Sequence, residues 1–392
     1  MLPGRIGNYE VVSQLARGGM ANVYLARRDH VDPRARYVAL KVLDTASTDD
    51  PAAGAMFDDE ARVLALLDHD NLTRVHDAGA HEQWRYLALD YVHGVDLRTL
   101  LQQAMRARRP IPRDVTVAIV MAVCAGLDHA HRRCSADGRP LHLVHRDVSP
   151  SNVMVQYDGG VKVIDFGIAQ AAVSEHQSLP GIVRGKASYM SPEQCVGDAV
   201  DRRSDVFALG VLLYELTTGR PCFPGKSDVE RMTAVIRSDV QLPRDLDASY
   251  PEALEDVVLT ALAPSPTNRF ASAAAMREAL AGVTQTQGWF AGAHDIAGLL
   301  RVLFGEVLSP WDIDAAIGTT VDATEPLDLR SLPEPIGADE IEKPRRFPRS
   351  TQLDAAIPDD PDDMPTRGRR SQQRLFGRAI AAPATVRARK AA

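Results

Sequence analysis

Lysine is scarce in this chain. Lys41, Lys162, Lys186, Lys226, Lys343 and Lys390 are the whole complement, and arginine carries nearly all the remaining positive charge. Cysteine is scarce too. Cys124, Cys134, Cys195 and Cys222 lie far apart and form no C-x-x-C pair, which excludes the common zinc and dithiol redox motifs. Long apolar runs are missing: no stretch of about 18 apolar residues occurs. The most apolar segments, 115–125 and 206–216, are short and suit buried helices. Met1-Leu2-Pro3-Gly4-Arg5 lacks the apolar segment of a secretory signal. No internal repeat is visible. These absences lead us to expect a cytoplasmic protein without a membrane span.

What is present is ordinary in bulk and uneven in charge. The 392 residues suffice for one large or two ordinary domains, and 45% hydrophobic with 25% charged residues is globular composition. The net charge is −7, yet residues 342–392 carry about twelve basic and about six acidic side chains, so the remainder is clearly acidic. An acidic body argues against a nucleic-acid-binding core, while the basic end suits an acidic partner, an anionic surface or docking on the chain itself.

Local patterning changes along the chain. Residues 9–15 and 22–28 are predicted as strands around a glycine-containing turn, and 37–43 as a third strand. Residues 56–67 have helical spacing, with Phe57, Val63, Leu64 and Leu67 on one face. Strands follow at 73–78 and 86–91. After Gly94 the pattern is mainly helical, at 97–105, 113–132, 201–218, 228–237, 251–262 and 272–280. Two short strands, 153–156 and 161–164, flank the turn Asp158-Gly159-Gly160. Ile296, Leu299, Leu300, Leu303 and Val307 again fall at helical spacing, which predicts a helix packed on the main domain. From about Ala323, Pro, Asp, Arg and Ser dominate, and a disordered tail is expected.

The chemistry concentrates in His145-Arg146-Asp147-Val148-Ser149-Pro150-Ser151-Asn152, followed thirteen residues after Asn152 by Asp165-Phe166-Gly167. An Asp that accepts a hydroxyl proton, with an Asn and a second Asp to hold Mg²⁺, is equipment for phosphoryl transfer from a nucleotide. The order H-R-D, four spacers, N, then D-F-G resembles the catalytic segment of the bacterial eukaryotic-like serine/threonine protein kinases. The resemblance spans residues 9–282, about seventy per cent of the chain. It implies an α+β, bilobal protein-kinase fold. A kinase domain would occupy 1–282, with a β-rich N-lobe at about 1–92 and a helical C-lobe at about 93–282. A helical extension at 283–322, packed on that domain, and a disordered basic tail at 323–392 would follow.

By the same resemblance each site residue acquires a role. Ala16-Arg17-Gly18-Gly19-Met20-Ala21 resembles the glycine-rich loop, with Leu15, Gly18, Gly19 and Val23 against ATP; alanines stand at its two outer glycine positions. Val38-Ala39-Leu40-Lys41 resembles the strand whose Lys41 contacts the phosphates, paired with Glu60 from the following helix. Glu60 taken alone would read as a solvated helix face. Leu89, Asp90 and Val92 would form the inter-lobe hinge and hold adenine. Ala39 and Met154 would sandwich the ring, and Asp96 would reach the ribose. Asp147 would be the catalytic base, and Asn152 and Asp165 the ligands of Mg²⁺, or of Mn²⁺ in its place. His145 is expected to brace the loop. Ser191-Pro192-Glu193 resembles the end of an activation segment, with Glu193 paired to Arg269, and Asp205 anchoring the catalytic loop. Small-molecule kinases such as the aminoglycoside phosphotransferases share the Asp/Asn/Asp core but lack that segment.

Two departures stand out. Ser149 occupies a position where lysine is usual, and Lys186 one where threonine is usual. The two groups have exchanged places, so that Lys186 would supply charge near the transferred phosphate and Ser149 the hydroxyl. Arg146 before Asp147 implies control by activation-segment phosphorylation. No threonine occurs between Ile168 and Ser191; Ser174, Ser178 and Ser188 are the available hydroxyls, and Ser178 is favoured as the regulatory site by its position. Ser350, Thr351 and Ser371 are further candidates for autophosphorylation, for which self-association is expected. The reading is an active kinase using ATP and Mg²⁺ on protein substrates. The alternatives are an ATP-binding pseudokinase scaffold and a kinase of tyrosine or small-molecule specificity.

Overall fold

The structure, a computed structural model, describes residues 4–18, 21–28, 36–43, 51–135, 137–166 and 187–318. The chain divides into two units, Met1–Pro326 and Leu327–Ala392, and all described residues belong to the first. Gly19, Gly167, Ser178, Lys186 and the expected tail lie outside the described residues.

The first part is an antiparallel sheet. Strands β1 (Arg5–Ile6), β2 (Tyr9–Arg17), β3 (Ala21–Arg27), β4 (Tyr37–Leu43), β5 (Val75–His81) and β6 (Trp84–Asp90) pair in the order β1-β2-β3-β4-β6-β5. Alternation along each strand gives the sheet two faces. Tyr24, Val38, Leu40, Val42 and Ala88 join Ile6 and Tyr9 in one apolar cluster. Directly paired residues share a face, so Val23 opposite Lys41, and Ala39 opposite Leu89, line the other face. Against that face packs helix α1 (Pro51–Leu64) through Phe57, Ala61 and Leu64. Glu60 falls in the same stripe and is buried with them. The helix starts earlier than its apolar spacing suggests, and Leu67 lies beyond its end.

The second part is helical. Strand β7 (Gly94–Asp96) pairs with β8 (Val153–Gln156), and β8 with β9 (Val161–Val163). Around them stand α2 (Leu97–Arg106), α3 (Arg113–His131), α4 (Pro192–Val196), α5 (Arg202–Thr218), α6 (Asp228–Arg237), α7 (Pro243–Leu246), α8 (Glu252–Ala261) and α9 (Ala273–Gln287). Helix α3 is long and apolar enough to cross a membrane, but it is the core helix here, with two-thirds of that stretch buried. Caps fix several helix starts. Asp96, Asp201, Ser227 and Ser272 each accept a backbone N–H of their first turn, and Ser191 with Gln194 forms a capping box on α4.

Helix α9, expected over 272–280, runs on to Gln287, where left-handed Gly288 ends it. Two further helices follow, α10 (Ala293–Phe304) and α11 (Pro310–Gly318). Ile296, Leu300 and Leu303 of α10 enter the main core. Val307 does not continue that stripe, because Gly305 turns to positive φ and stops the helix.

Candidate active site

The cleft side of the sheet and the β8–β9 region bring the predicted catalytic residues together. Lys41 Nζ lies 2.8 Å from Glu60 Oε1 and 3.6 Å from Asp165 Oδ1. Burial lowers the pKa of the Lys41 ammonium, but the charges of Asp165 and Glu60 outweigh it and the net shift is upward. Lys41 is therefore a fixed cation at the cleft.

Asp147 sits in the loop just before the 3₁₀ turn Pro150–Asn152. Asn152 Nδ2 donates to both the Asp147 carbonyl and its Oδ2, each at 2.8 Å. This holds the carboxylate in one orientation and leaves Asn152 Oδ1 for a cation. The Asn152 carbonyl also accepts the Ile164 N–H at 3.0 Å, so the loop is tied to the segment that presents Asp165. Asp165 has a left-handed backbone, φ 52°, and an exposed side chain. His145 is fully buried and links the same two segments. Its Nδ1 accepts the Asp147 N–H at 3.3 Å, so its Nε2 carries the proton and donates to the Ile164 carbonyl at 3.1 Å. The Phe166 ring packs 4.6 Å from it. His145 thus braces the loop.

The loop carries strain and the fold over-determines it. Arg146 has φ 65°, a conformation that costs a non-glycine residue about 1–3 kcal/mol. Asp205, at the start of α5, accepts the Arg146 N–H at 2.9 Å and the His145 N–H at 2.8 Å. Its Oδ2 also meets His131 Nε2 at 2.7 Å. Burial would raise the Asp205 pKa, yet the His131 bond and the backbone donors leave it lowered. From the other side Gln194 Nε2 donates to the Arg146 carbonyl at 2.9 Å. Glu193, next in the chain, pairs with Arg269 through two bonds of 2.7 Å, and Ser204 donates to it as well. Motif reading found Asp205, Glu193 and Arg269 but missed Gln194 and Ser204, which no local pattern marks.

The residues expected to hold adenine are mostly apolar. Leu15, at an irregularity of β2, and Val23, Ala39 and Met154 are half-buried, while Leu89 and Val92 are buried. Gly18 N donates to the Ala21 carbonyl at 3.0 Å, and a Cβ on Gly18 would come within 2.7 Å of that oxygen, so the tip needs glycine there. The Asp96 carboxylate caps α2 through the Thr99 N–H at 2.6 Å. Asp90 turns its carboxylate to His76 and Lys162, at 2.8 and 3.0 Å, and to the Arg74 N–H at 3.2 Å. Burial opposes that charge, but these partners bring the Asp90 pKa down to about 2. Lys162 is a third residue that sequence reading left without a role; it ties β9 to Asp90.

Ser149 is buried, with its hydroxyl 3.1 Å from the Ser151 hydroxyl and its carbonyl accepting the Asn152 N–H. Its expected partner Lys186 is outside the described residues. Among the described residues no cluster of three or more His, Cys, Asp or Glu forms an all-protein metal site. One carboxylate and one carboxamide oxygen instead suit Mg²⁺, which keeps water and phosphate oxygens in its shell.

A two-lobed fold with a Lys–Glu pair above an Asp–Asn–Asp cluster defines a protein-kinase site. The match to the family model "Protein kinase domain" covers residues 9–280, and the chain belongs to that family. It is 38% identical over 300 residues to "Tyrosine-protein kinase MasK" of Myxococcus xanthus, covering 76% of this chain and 46% of that protein. It is 37% identical over 283 residues to "Serine/threonine-protein kinase PknB" of Mycobacterium tuberculosis, covering 70% and 42%. The chain thus spans less than half the length of these curated relatives. Its fold is similar to the crystal structure of the Mycobacterium tuberculosis PknI kinase domain, with TM-score 0.53 and 29% identity, covering 71% of this chain and 96% of that one.

Proposed function

We propose that the chain is a protein kinase that transfers the γ-phosphate of ATP to serine and threonine hydroxyls. The observation that carries this is the cluster in which Lys41 meets both Glu60 and Asp165 while Asn152 orients Asp147. Serine/threonine specificity is favoured by the similarity to proteins named as PknB. When bound, Mg²⁺ would neutralise charge on the nucleotide phosphates. Asn152 Oδ1 and the Asp165 carboxylate would hold it. Lys41 places a fixed positive charge for the phosphates, and Asp147 orients and deprotonates the acceptor hydroxyl. Leu89, Asp90 and Val92 would hold adenine, with Val23, Ala39 and Met154 on its faces, and Asp96 the ribose. The kinase domain would extend over 1–282 in function, with 283–322 as an accessory segment and 323–392 as a basic tail.

Ser149 and Lys186 would act as an exchanged pair, Lys186 bringing charge to the γ-phosphate. Lys186→Ala would then lower turnover strongly; full turnover in that variant would sink the idea. Ser178 would be an activating phosphosite read by Arg146, filled when two copies meet. All four cysteines are free thiols, which suits the reducing cytoplasm where ATP is available.

A second reading, tyrosine specificity, is favoured by Ser149 in the lysine position and by the likeness to a protein named as a tyrosine kinase. Phosphoamino-acid analysis after incubation with γ-labelled Mg-ATP separates the two. Phosphoserine and phosphothreonine are expected, and phosphotyrosine alone would overturn the first reading.

A further inference from the structure

The family match ends at residue 280, yet the chain beyond it contacts the C-lobe, the segment that joins the two lobes and the start of β4. Helix α10 is anchored to the C-lobe. Its Leu300 and Leu303 enter the core, and Gln103 Nε2 on α2 donates to the Leu303 carbonyl at 2.9 Å. Its first residue lies so close to the β8–β9 turn that a Cβ on Gly159 would come 1.8 Å from the Ala293 carbonyl. Phe304 then packs edge-on to Tyr157 at 6.4 Å.

After Gly305 the chain turns toward the hinge. Ser309 and Asp312 cap α11 reciprocally, the Ser309 N–H reaching Asp312 Oδ2 at 3.2 Å and the Asp312 N–H reaching Ser309 Oγ at 3.1 Å. This fixes the direction of α11. The Trp311 ring stands edge-on to two hinge side chains, Tyr91 at 6.4 Å and His93 at 5.6 Å. One turn on, Asp314 reaches the N-lobe. It accepts the O–H of Tyr37, the first residue of β4, at 2.7 Å and lies 3.5 Å from Nη1 of Arg36 just before that strand. Tyr37 is buried, and burial followed by the Asp314 contact pushes its pKa up to about 12, so it donates at every working pH.

One short segment therefore holds the C-lobe behind it, the hinge beside it and the N-lobe ahead of it. Strand β4, which Asp314 grips at one end, carries Ala39 and Lys41. Tyr91 and His93, against which Trp311 stands, flank Val92, which would hold adenine together with Leu89 and Asp90. We propose that Trp311 and Asp314 are positioning residues for nucleotide binding: a strap from outside the family domain that sets the hinge and the placement of β4. The proposal rests on the adenine reading of the hinge given above.

The test uses the full chain carrying Trp311→Ala, Asp314→Asn, Tyr37→Phe or the pair Asp314→Asn/Tyr37→Phe, with Phe290→Ala, an exposed residue at 89%, as control. Affinity for MgADP is measured by calorimetry, together with KM for ATP, kcat and the melting temperature. Trp311→Ala and Asp314→Asn should weaken MgADP binding and raise KM for ATP by about threefold to tenfold, with kcat at saturating ATP nearly unchanged. The pair Asp314→Asn/Tyr37→Phe should be no worse than either single change. The control should match the parent. A purely structural role would lower the melting temperature and leave KM for ATP alone, and that result overturns the strap. So do parental MgADP affinities in both variants, or additive effects in the double variant. If the parent itself binds no nucleotide, the adenine reading falls and the strap with it.

Discussion

Replacing Arg269 with alanine should destabilise this fold more than almost any other single change. Every Arg269 donor is engaged. Besides its two bonds to Glu193, Nε donates to the Ala263 carbonyl at 2.8 Å, Nη1 to the Arg203 carbonyl at 3.1 Å and Nη2 to the Pro264 carbonyl at 2.9 Å. The guanidinium also lies over the Phe207 ring at 4.9 Å. The Arg269 side chain has 0% exposure and that of Glu193 only 7%. Alanine would strand a buried carboxylate with Ser204 as its remaining side-chain donor, and would remove one donor from each of the three carbonyls. Breaking a buried pair in this way costs about 3–5 kcal/mol, or a fall in melting temperature of about 5–15 °C. Lysine would not rescue it, since one ammonium cannot replace a bidentate fork. The pair Glu193→Leu/Arg269→Met should lie closer to the parent than Arg269→Ala does, because no charge is left unpaired. Burial works against the Glu193 charge, but the bonds from Arg269 and Ser204 leave its pKa lowered. A depressed carboxyl stabilises above the ordinary glutamate range and loses that contribution as pH falls through its folded value. The parent should therefore show an acid-side loss of stability that Arg269→Ala lacks. Circular-dichroism melts from pH 3 to 8 measure both effects. A loss under about 1 kcal/mol in Arg269→Ala would refute the assignment of this pair as the clamp on the end of the activation segment.

Three further outcomes follow from the site. Gly18→Ala should weaken MgADP binding several-fold in calorimetry with little change in melting temperature, since the new Cβ displaces the loop tip from the Ala21 carbonyl. Lys41→Met should lower phosphoryl transfer at least about a hundredfold while the circular-dichroism spectrum is kept, because it removes the fixed cation between Glu60 and Asp165. At Asp90, the drop from 3.8 to about 2 corresponds to about 2 kcal/mol of stability at neutral pH, lost only as pH falls toward 2. Asp90→Asn should thus lower the melting temperature at neutral pH, and an unchanged melting temperature there would contradict the assignment.

Much of the site could be read in one dimension because its chemistry is local. Asp147 and Asn152 lie only five positions apart, and strand alternation alone puts Ala39 and Lys41 on one face. Glu60 emerges from the same helical spacing as Phe57 and Leu64, although charge by itself would have placed it outside. The residues that escaped reading act across long gaps. Gln194 meets the Arg146 carbonyl across 48 positions, and Asp314 meets Tyr37 across 277. Neither distance leaves a periodic trace. Boundaries failed for a related reason. The helix expected to stop at Leu280 keeps its apolar stripe for one more turn, with Val283 buried in the core, and α9 then continues to Gln287 through polar residues that carry no apolar signal. Val307 keeps the apolar rhythm of α10 but falls after Gly305, where the backbone has already turned away. Short α7, four residues opened by Pro243, has too few positions to show any period.

The central claim is that Asp147 is oriented by Asn152 to act on a protein hydroxyl while Lys41 and Asp165 hold the donor. It is tested most directly by transfer of labelled γ-phosphate to the protein and to a generic protein acceptor, in the parent and in Asp147→Ala, with and without Mg²⁺. The account predicts Mg²⁺-dependent transfer by the parent to serine and threonine. It also predicts loss of at least about a thousandfold in Asp147→Ala, with MgADP affinity intact. No transfer by a parent that binds nucleotide, or equal transfer by Asp147→Ala, would contradict it.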